Sequence, residues 1–182
     1  NVSSKRDSDT VRIGFLAQNL SDPNKRLHTA IRFVDELCSL GFSVRLDAVG
    51  AGKVNTESKN TDFLGPLSQP EIVSRSRLWS GLLVSSVSEN APMSIAEMGI
   101  LGIPTVAHSA QGIDEMLVLT GQNPLLRDWG SVTVEELSNI KNLITQSNPE
   151  KNRDIRNESK KNFGSTGIFE SLMAIYSSVS DR

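Results

Sequence analysis

Residues 82–107 read LLVSSVSENAPMSIAEMGILGIPTVA, and the fold can be worked out from this run of the chain. The apolar residues 82–84 predict a buried strand. A helix is expected over about residues 92–101, ending at Gly102. After a very short turn, residues 104–107 predict a further strand. A strand, a helix and a strand in this order form the repeating unit of a parallel α/β sheet.

The same alternation continues on both sides of this run. Buried strands are predicted over residues 11–17, 42–49 and 62–64. A helix is expected from Lys25 to about Gly41, with one apolar face of Leu27, Ala30, Ile31, Val34, Leu37 and Cys38. Short turns between such elements indicate a doubly wound, mostly parallel sheet. Ligands of these sheets bind outside the carboxyl ends of the strands, so the loops that follow the strands are the ones to search.

Two capping-box spacings predict helix starts. Ser68 with Glu71 predicts a helix over about residues 70–77, and Thr133 with Glu136 opens a later one whose apolar face is Val134, Leu137, Ile140 and Ile144. The chain after Pro149 is expected to be helical to its end, with a break at Gly164.

Composition excludes several classes of protein. The 182 residues carry 19 basic and 21 acidic side chains, a formal charge of −2, which does not suit a nucleic-acid-binding protein. No window approaches the roughly 18 apolar residues of a membrane-spanning helix. The one cysteine, Cys38, allows neither an intrachain disulfide nor a cysteine-rich metal site. Residues 1–10 are interpreted as a polar tail or linker and residues 11–182 as one domain. Because the chain begins with Asn1, we expect a piece of a longer protein.

Two glutamates lie close to the end of a predicted strand. Glu89 falls in the loop after residues 82–84, and Glu97 lies about two turns into the following helix. Carboxylates accept hydrogen bonds from paired hydroxyls, and the amides of a helix start attract phosphate. The pattern therefore indicates a ligand with both sugar and phosphate. The alternative is that both glutamates are solvated and that Asn90 merely caps the helix.

Other sequence motifs give no support for a different function. There is no dinucleotide-binding glycine pattern after the first strand and no phosphate-binding loop of nucleoside triphosphatases. Asp7 and Asp9 have a metal-pair spacing, but they lie in the polar tail, so no metal is assigned. His28 and His108 make neither a catalytic triad nor a metal set, although His108 is expected to line the cleft.

The motifs together resemble those of glycosyltransferase family 4. Residues 89–107 are similar to the second half of its donor-site signature. Residues 20–25 resemble its first strand-to-helix loop, residues 63–67 with Glu71 resemble its turn before the next helix, and residues 111–115 resemble its glycine-and-glutamate segment. The resemblance implies a Rossmann-like doubly wound sheet, the C-terminal half of a GT-B fold. Many members carry an arginine just after the first strand, where this chain has Gln18 and Asn19, and commonly have glycine at the position of Arg26.

The resemblance also implies roles for particular residues. Glu89 would contact the transferred sugar, Glu97 would hold the ribose, and Lys25 matches the phosphate-binding lysine. Residues expected to contribute further contacts to the nucleotide sugar are Asn90, Ala91, Pro92, Met93, Ser94, Arg26, Asn19 and Gly52. Glu89 and Lys25 are the predicted catalytic residues; no metal and no cofactor are expected.

The implied activity is that of a retaining, metal-independent glycosyltransferase with a UDP- or GDP-type donor. The acceptor, a glycan or lipid-linked sugar, would bind an N-terminal domain absent from these residues, so the domain alone is expected to be inactive. Family members suggest bacterial glycan assembly in the cytoplasm, with the inner face of the membrane as an alternative. A GT-B nucleotide-sugar epimerase and a noncatalytic nucleotide-sugar-binding or interaction module remain alternatives.

Overall fold

A computed structural model of the chain describes residues 10–123, 126, 129, 132–145 and 149–166, excepting the side chains of residues 134, 144, 145 and 149–151. These residues form five strands and six helices in alternating order over most of the length. The elements are β1 (Val11–Asn19), α1 (Leu27–Ser39), β2 (Val44–Ala51), β3 (Thr61–Gly65), α2 (Gln69–Ser76), β4 (Trp79–Val84), α3 (Met93–Ile100), β5 (Thr105–Ala107), α4 (Ile113–Leu119), α5 (Val134–Thr145) and α6 (Pro149–Phe163).

The five strands form one parallel sheet in the order β3-β2-β1-β4-β5. The central strand β1 places Ile13 opposite Leu46 of β2 on one side and Gly81 of β4 on the other. The chain starts in the middle, winds outward to β3, and then returns across β1 to build the other half. This reversal places a cleft at the carboxyl ends of β1 and β4, where the strand order switches.

Apolar layers cover both faces of the sheet, as a doubly wound fold requires. One core cluster joins the buried face of α1 to Phe15, Leu83 and Ile140. The other joins the neighbouring strand positions Leu82 and Val84 to apolar residues of α3 and α4. Successive residues of β4 thus enter opposite cores, which explains why the strand is apolar at consecutive positions.

The predicted fold class is confirmed, and the strand and helix bounds agree to within a few residues. All but one of the predicted apolar residues of α1 are fully buried, and Cys38 is half-buried. Both capping boxes form: Ser68 N donates to Glu71 Oε2 at 2.8 Å, and Thr133 N donates to Glu136 Oε2 at 2.7 Å. The expected break at Gly164 is present as a bend after α6. Residues 1–9 of the expected tail and the expected helix beyond residue 166 lie outside the described residues.

Two expectations need correction. The first helix begins at Leu27 rather than Lys25, because Arg26 adopts the left-handed conformation and interrupts the helix. Helix α4 was not expected. It is seven residues long, and Gly112 precedes it in the left-handed conformation without a side-chain cap. Neither a long periodic pattern nor a capping residue therefore marked its start.

Candidate functional site

A cavity of about 570 Å³ opens at the carboxyl edge of the sheet. It lies over the ends of β1 and β2, beside the strand-order reversal between β1 and β4, and is bounded by the loop after β3, the start of α2 and the segment that leads from β4 into α3. Its lining residues are Leu16, Ala17, Gln18, Lys25, Val49, Gly50, Pro66, Leu67, Gln69, Ile72, Glu89, Ala91, Pro92, Met93, Ser94 and Glu97.

Lys25 and Glu89 form an ion pair in the wall of this cavity. The distance from Lys25 Nζ to Glu89 Oε1 is 2.5 Å, and the two side chains are 26% and 14% exposed to solvent. Lys25 comes from the loop after β1 and Glu89 from the loop after β4. Because both strands are parallel neighbours, their carboxyl ends bring these distant residues together.

Hydrogen bonds that involve the backbone hold the two loops against each other. Val87 N donates to Asn24 O at 3.0 Å, and Asn24 Nδ2 donates to Ser88 O at 2.9 Å. Below them, the buried Ser85 Oγ donates to Lys25 O at 2.8 Å. The position of Lys25 beside Glu89 is therefore set by the backbone of both loops and does not depend on the ion pair alone.

The loop after β5 supports Glu89 from the other side. Glu89 N donates to Gln111 O at 3.0 Å. Gly112 follows with φ of 76°, and a Cβ at this position would lie 1.7 Å from the carbonyl oxygen of Glu89. Only glycine suits both the left-handed backbone and the close approach. The glycine in the resembling segment thus has a physical role next to the site.

Glu97 reaches the same cavity from the second turn of α3. Its Oε1 accepts a hydrogen bond from Gln69 Nε2 at 3.2 Å, which links α3 to the first residue of α2. In the described part of the chain no side chain caps α3; Pro92 is its N-cap residue. The cavity is thus bordered by two carboxylates, one ammonium group and an uncapped helix start.

The formal charge of the cavity lining is negative. Among the described lining residues, one positive charge, on Lys25, stands against two negative charges, on Glu89 and Glu97, which leaves −1. Gln18 lines the wall at the place where the resembling family carries an arginine. A dianionic ligand therefore meets a single lysine here, and that lysine already has a carboxylate partner.

Seven of the predicted site residues lie together in the lining: Lys25, Glu89, Ala91, Pro92, Met93, Ser94 and Glu97. Four others lie outside it. Asn90 is exposed to solvent. Arg26 is the N-cap residue of α1 and has a left-handed backbone conformation. Asn19 Oδ1 accepts a hydrogen bond from Ser21 N at 2.9 Å, and it would lie 2.4 Å from a Cβ at Gly52. Asn19 and Gly52 thus pack against each other beside the cavity.

Of the two glycines that follow the second predicted strand, Gly50 lines the cavity and Gly52 does not. Leu67, Gln69 and Ile72, which had no predicted role, enter from the β3–α2 connection. The rule that ligands bind at the carboxyl ends of strands points to Gly50 and to the turn after β3. No local pattern distinguishes Gln69 from other polar residues at a helix start, so its contact with Glu97 could be found only in three dimensions.

His108 is buried and does not line the cavity, contrary to expectation. Its Nδ1 accepts a hydrogen bond from Trp129 Nε1 at 2.8 Å, and the same indole packs edge-on against Phe33. The position after β5 is therefore used to anchor Trp129. Over the described residues, no cluster of three or more His, Cys, Asp or Glu side chains has the arrangement of a metal site.

The fold and the position of the cavity define a Rossmann-like domain with a ligand cleft at its strand-order reversal. No protein-family model and no curated protein sequence matches the chain. Solved structures of GT-B glycosyltransferases do share its fold. The apo lipopolysaccharide outer core galactosyltransferase WaaB superposes with a TM-score of 0.70 at 18% identity, over 96% of this chain and 51% of WaaB.

Two further structures have the same fold. WaaG, a glycosyltransferase involved in lipopolysaccharide biosynthesis, superposes with a TM-score of 0.67 at 15% identity, over 90% of this chain and 46% of its own. A mutant of S. aureus TarM, in complex with Fondaparinux, alpha-GlcNAc-glycerol and UDP, superposes with a TM-score of 0.72 at 15% identity, over 92% of this chain and 36% of TarM. The chain thus spans about a third to a half of these proteins. At such identities the likeness establishes the fold.

None of the helices in the described ranges combines the length and the apolar character needed to cross a membrane.

Proposed function

We propose that this chain is the C-terminal, nucleotide-sugar-binding domain of a retaining, metal-independent glycosyltransferase with a donor of UDP or GDP type. One observation carries the proposal: Lys25, Glu89, Glu97 and the start of α3 border a single cavity at the switch point of a fold shared with GT-B glycosyltransferases. Had the two carboxylates pointed to different surfaces, the motif would have had no common ligand.

The chemistry of these groups suits the departure of a nucleoside diphosphate. As the bond from the anomeric carbon to the diphosphate breaks, negative charge grows on the phosphate oxygens. Lys25 and the first amides of α3 supply fixed positive potential for that charge. Glu89 accepts hydrogen bonds from hydroxyl groups of the transferred sugar, and Glu97 accepts them from the hydroxyl groups of the ribose.

The acceptor is assigned to a second domain. Among the lining residues that the structure describes, the two glutamates are the candidate bases, and both are assigned to the donor. WaaB and WaaG are each about twice as long as this chain, which leaves room for a domain of similar size. We expect the acceptor, a glycan or a lipid-linked sugar, to bind there, with transfer in the cleft between the domains. The chain alone should bind donors without transferring sugar.

The direct test is calorimetric titration of the purified chain with UDP-, GDP- and ADP-sugars, each with and without magnesium. Saturable binding of one class without magnesium is the expected result. Binding that requires magnesium would contradict the metal-independent part of the proposal, and no binding of any nucleotide sugar would refute the proposal as a whole.

Replacing Glu97 by alanine should weaken donor binding about 10- to 100-fold, because a hydrogen bond to a charged group contributes roughly 1.5–3 kcal/mol. Glu135→Ala is the matched control, since Glu135 is an exposed glutamate in the first turn of α5. The measurement is the dissociation constant of the preferred nucleotide sugar for each variant. Equal affinities of Glu97→Ala and the wild type would remove Glu97 from the site.

A noncatalytic nucleotide-sugar-binding module is the second candidate. The neutral Gln18 in the cavity wall favours it, because a single lysine offers less stabilisation to a leaving diphosphate than two cations do. The test is sugar transfer by the chain joined to whatever precedes it in the complete reading frame. Binding without transfer in that longer protein would favour the module.

A further inference from the structure

The two groups assigned to neighbouring parts of the donor, its diphosphate and its sugar, bind each other in the wall of the cavity. Lys25 is assigned to the diphosphate and Glu89 to the sugar, yet Lys25 Nζ and Glu89 Oε1 lie 2.5 Å apart. Both side chains are more than two-thirds buried. Each partner is therefore shielded from much of the water that would otherwise replace a lost contact.

The pair is part of a built arrangement. Asn24 holds the Lys25 loop to the backbone of Val87 and Ser88, and Ser85 Oγ donates to the carbonyl oxygens of Lys25 and Arg26 at 2.8 and 3.1 Å. Glu89 is fixed from the opposite side through Gln111. Because the backbone on both sides is tied down, a ligand that separates the two charged groups must do so by moving their side chains.

A diphosphate must consequently compete with Glu89 for Lys25. Lys25 is the one cationic side chain among the described lining residues. When a phosphate oxygen takes over the ammonium group, Glu89 loses its partner and faces added negative charge. Leaving a buried charged group without a partner is unfavourable. A sugar attached to the diphosphate removes that penalty, because its hydroxyls donate to the released carboxylate.

We infer that the Lys25–Glu89 ion pair makes this cavity discriminate between a nucleoside diphosphate that carries a sugar and the same nucleotide without one. This inference rests on the proposed function and adds a specificity mechanism to it. The cavity binds the free nucleoside diphosphate, which is the product of transfer, less tightly. When this product leaves, the ion pair between Glu89 and Lys25 forms again. The pair thus couples sugar recognition to phosphate binding and promotes product release.

The test is the substitution Glu89→Gln, which keeps the shape of the side chain and removes its charge. We expect Glu89→Gln to bind UDP, or GDP if the donor panel selects guanosine, about 3- to 10-fold more tightly than the wild type does. The preference for the nucleotide sugar over the free nucleotide should fall by a similar or larger factor. Inorganic pyrophosphate, used as a probe without a nucleoside, should also bind more tightly.

Glu97→Gln and Glu135→Gln are the matched controls. Glu97→Gln removes the same charge from the same cavity but from a residue that hydrogen-bonds Gln69 instead of Lys25. We expect Glu97→Gln to bind UDP or GDP more weakly than the wild type does. If the gain in Glu89→Gln came only from the lost negative charge, Glu97→Gln would bind the nucleotide more tightly as well. Glu135→Gln reports on the loss of one negative charge at a distant exposed position and should leave all three affinities unchanged.

The outcomes separate this inference from the proposed function. If the wild type binds no nucleotide of the panel, the proposed function fails, and the inference fails with it. If the wild type binds nucleotide sugars but Glu89→Gln binds the free nucleoside diphosphate no more tightly, the function stands and the ion-pair mechanism is overturned. A gain that appears equally in Glu97→Gln also overturns it.

Discussion

Arg26 is held in a backbone conformation that usually belongs to glycine. It has φ of 51° and ψ of 46°, and within the described residues it is the one non-glycine residue with positive φ. A side chain in this region costs about 1–2 kcal/mol. Ser85, which binds the carbonyl oxygens of Lys25 and Arg26, keeps the turn in place. This geometry gives a physical reason for the glycine that the resembling family commonly has here.

Arg26→Gly should therefore be more stable than Arg26→Ala by about 0.5–1 kcal/mol. Glycine removes the left-handed strain, and part of that gain is offset by its larger conformational entropy in the unfolded chain. Both variants lack the guanidinium group, so the comparison isolates the backbone effect. Urea unfolding of the two proteins provides the measurement, and an alanine variant as stable as the glycine variant would show that the turn is unstrained.

At the scale of elements, α3 is positioned by its close contact with α6. Gly99 of α3 faces Ser159 of α6, and a Cβ at Gly99 would lie 2.3 Å from Ser159 Oγ. Ser159 is completely buried, and its Oγ has no hydrogen-bond partner among the described residues. Because α3 also carries Glu97, the packing of these two helices helps to fix the position of the carboxylate that is predicted to bind the donor.

Gly99→Ala should destabilise the protein by about 1–3 kcal/mol, since the added methyl group forces the two helices apart. The double variant with Ser159→Ala should recover much of the loss, because removing the unpartnered hydroxyl frees the space that the methyl group needs. Thermal unfolding of the wild type, both single variants and the double variant completes the cycle. Additive effects of the two substitutions would argue against direct contact.

Helices with a capping box or a clear apolar face could be predicted from the sequence, whereas helix α4, which has neither, could not. The helices that begin at the Ser68 and Thr133 capping boxes, and the apolar face of α1, follow from residues close together in the chain. Helix α4 is short and uncapped, so only its packing into the core through Ile113 and Leu117 reveals it. Tertiary contacts stabilise such a helix where local propensity does not.

Across the whole molecule, a charged network ties the strands together toward their amino ends, away from the cavity. Asp47 of β2 is fully buried and accepts hydrogen bonds at 2.7 Å from each of Arg12, Arg75 and Trp79. The network thus joins β1, β2, β4 and the end of α2. Asp62 extends it to β3 through Arg45 and through Arg12, the latter at 2.9 Å. Breaking this network should loosen the sheet without touching the site.

Stability should depend on pH through Asp62. The hydrogen bond from Arg45, followed by that from Arg12, lowers the pKa of Asp62 from 3.8 to about 2. Because the carboxylate is favoured in the folded state, its contribution is present above pH 3.8 and is lost as the pH falls through about 2. Since the pair is partly exposed, we expect a contribution of about 1 kcal/mol.

The measurement compares the free energy of unfolding of the wild type and Asp62→Asn in urea at about pH 5.5 and about pH 2.5. The difference between the proteins should be smaller at the lower pH by more than half of this contribution, because about pH 2.5 lies between the pKa values of the unfolded and folded states. Arg45→Met should reduce this pH-dependent part, because it removes the largest cause of the lowered pKa. A difference that stays constant with pH would rule out Asp62 as its source.

The sequence by itself determined the alternation of strands and helices, the parallel doubly wound class and the placement of Glu89 and Glu97 near one strand end. These features depend on periodicity and caps within a few residues. Only the tertiary structure decided that Lys25 pairs with Glu89, 64 residues away, and that Gln18, Gly50 and Gln69 share their cavity. Such contacts join the ends of separate strands, and no local pattern encodes which side chains meet there.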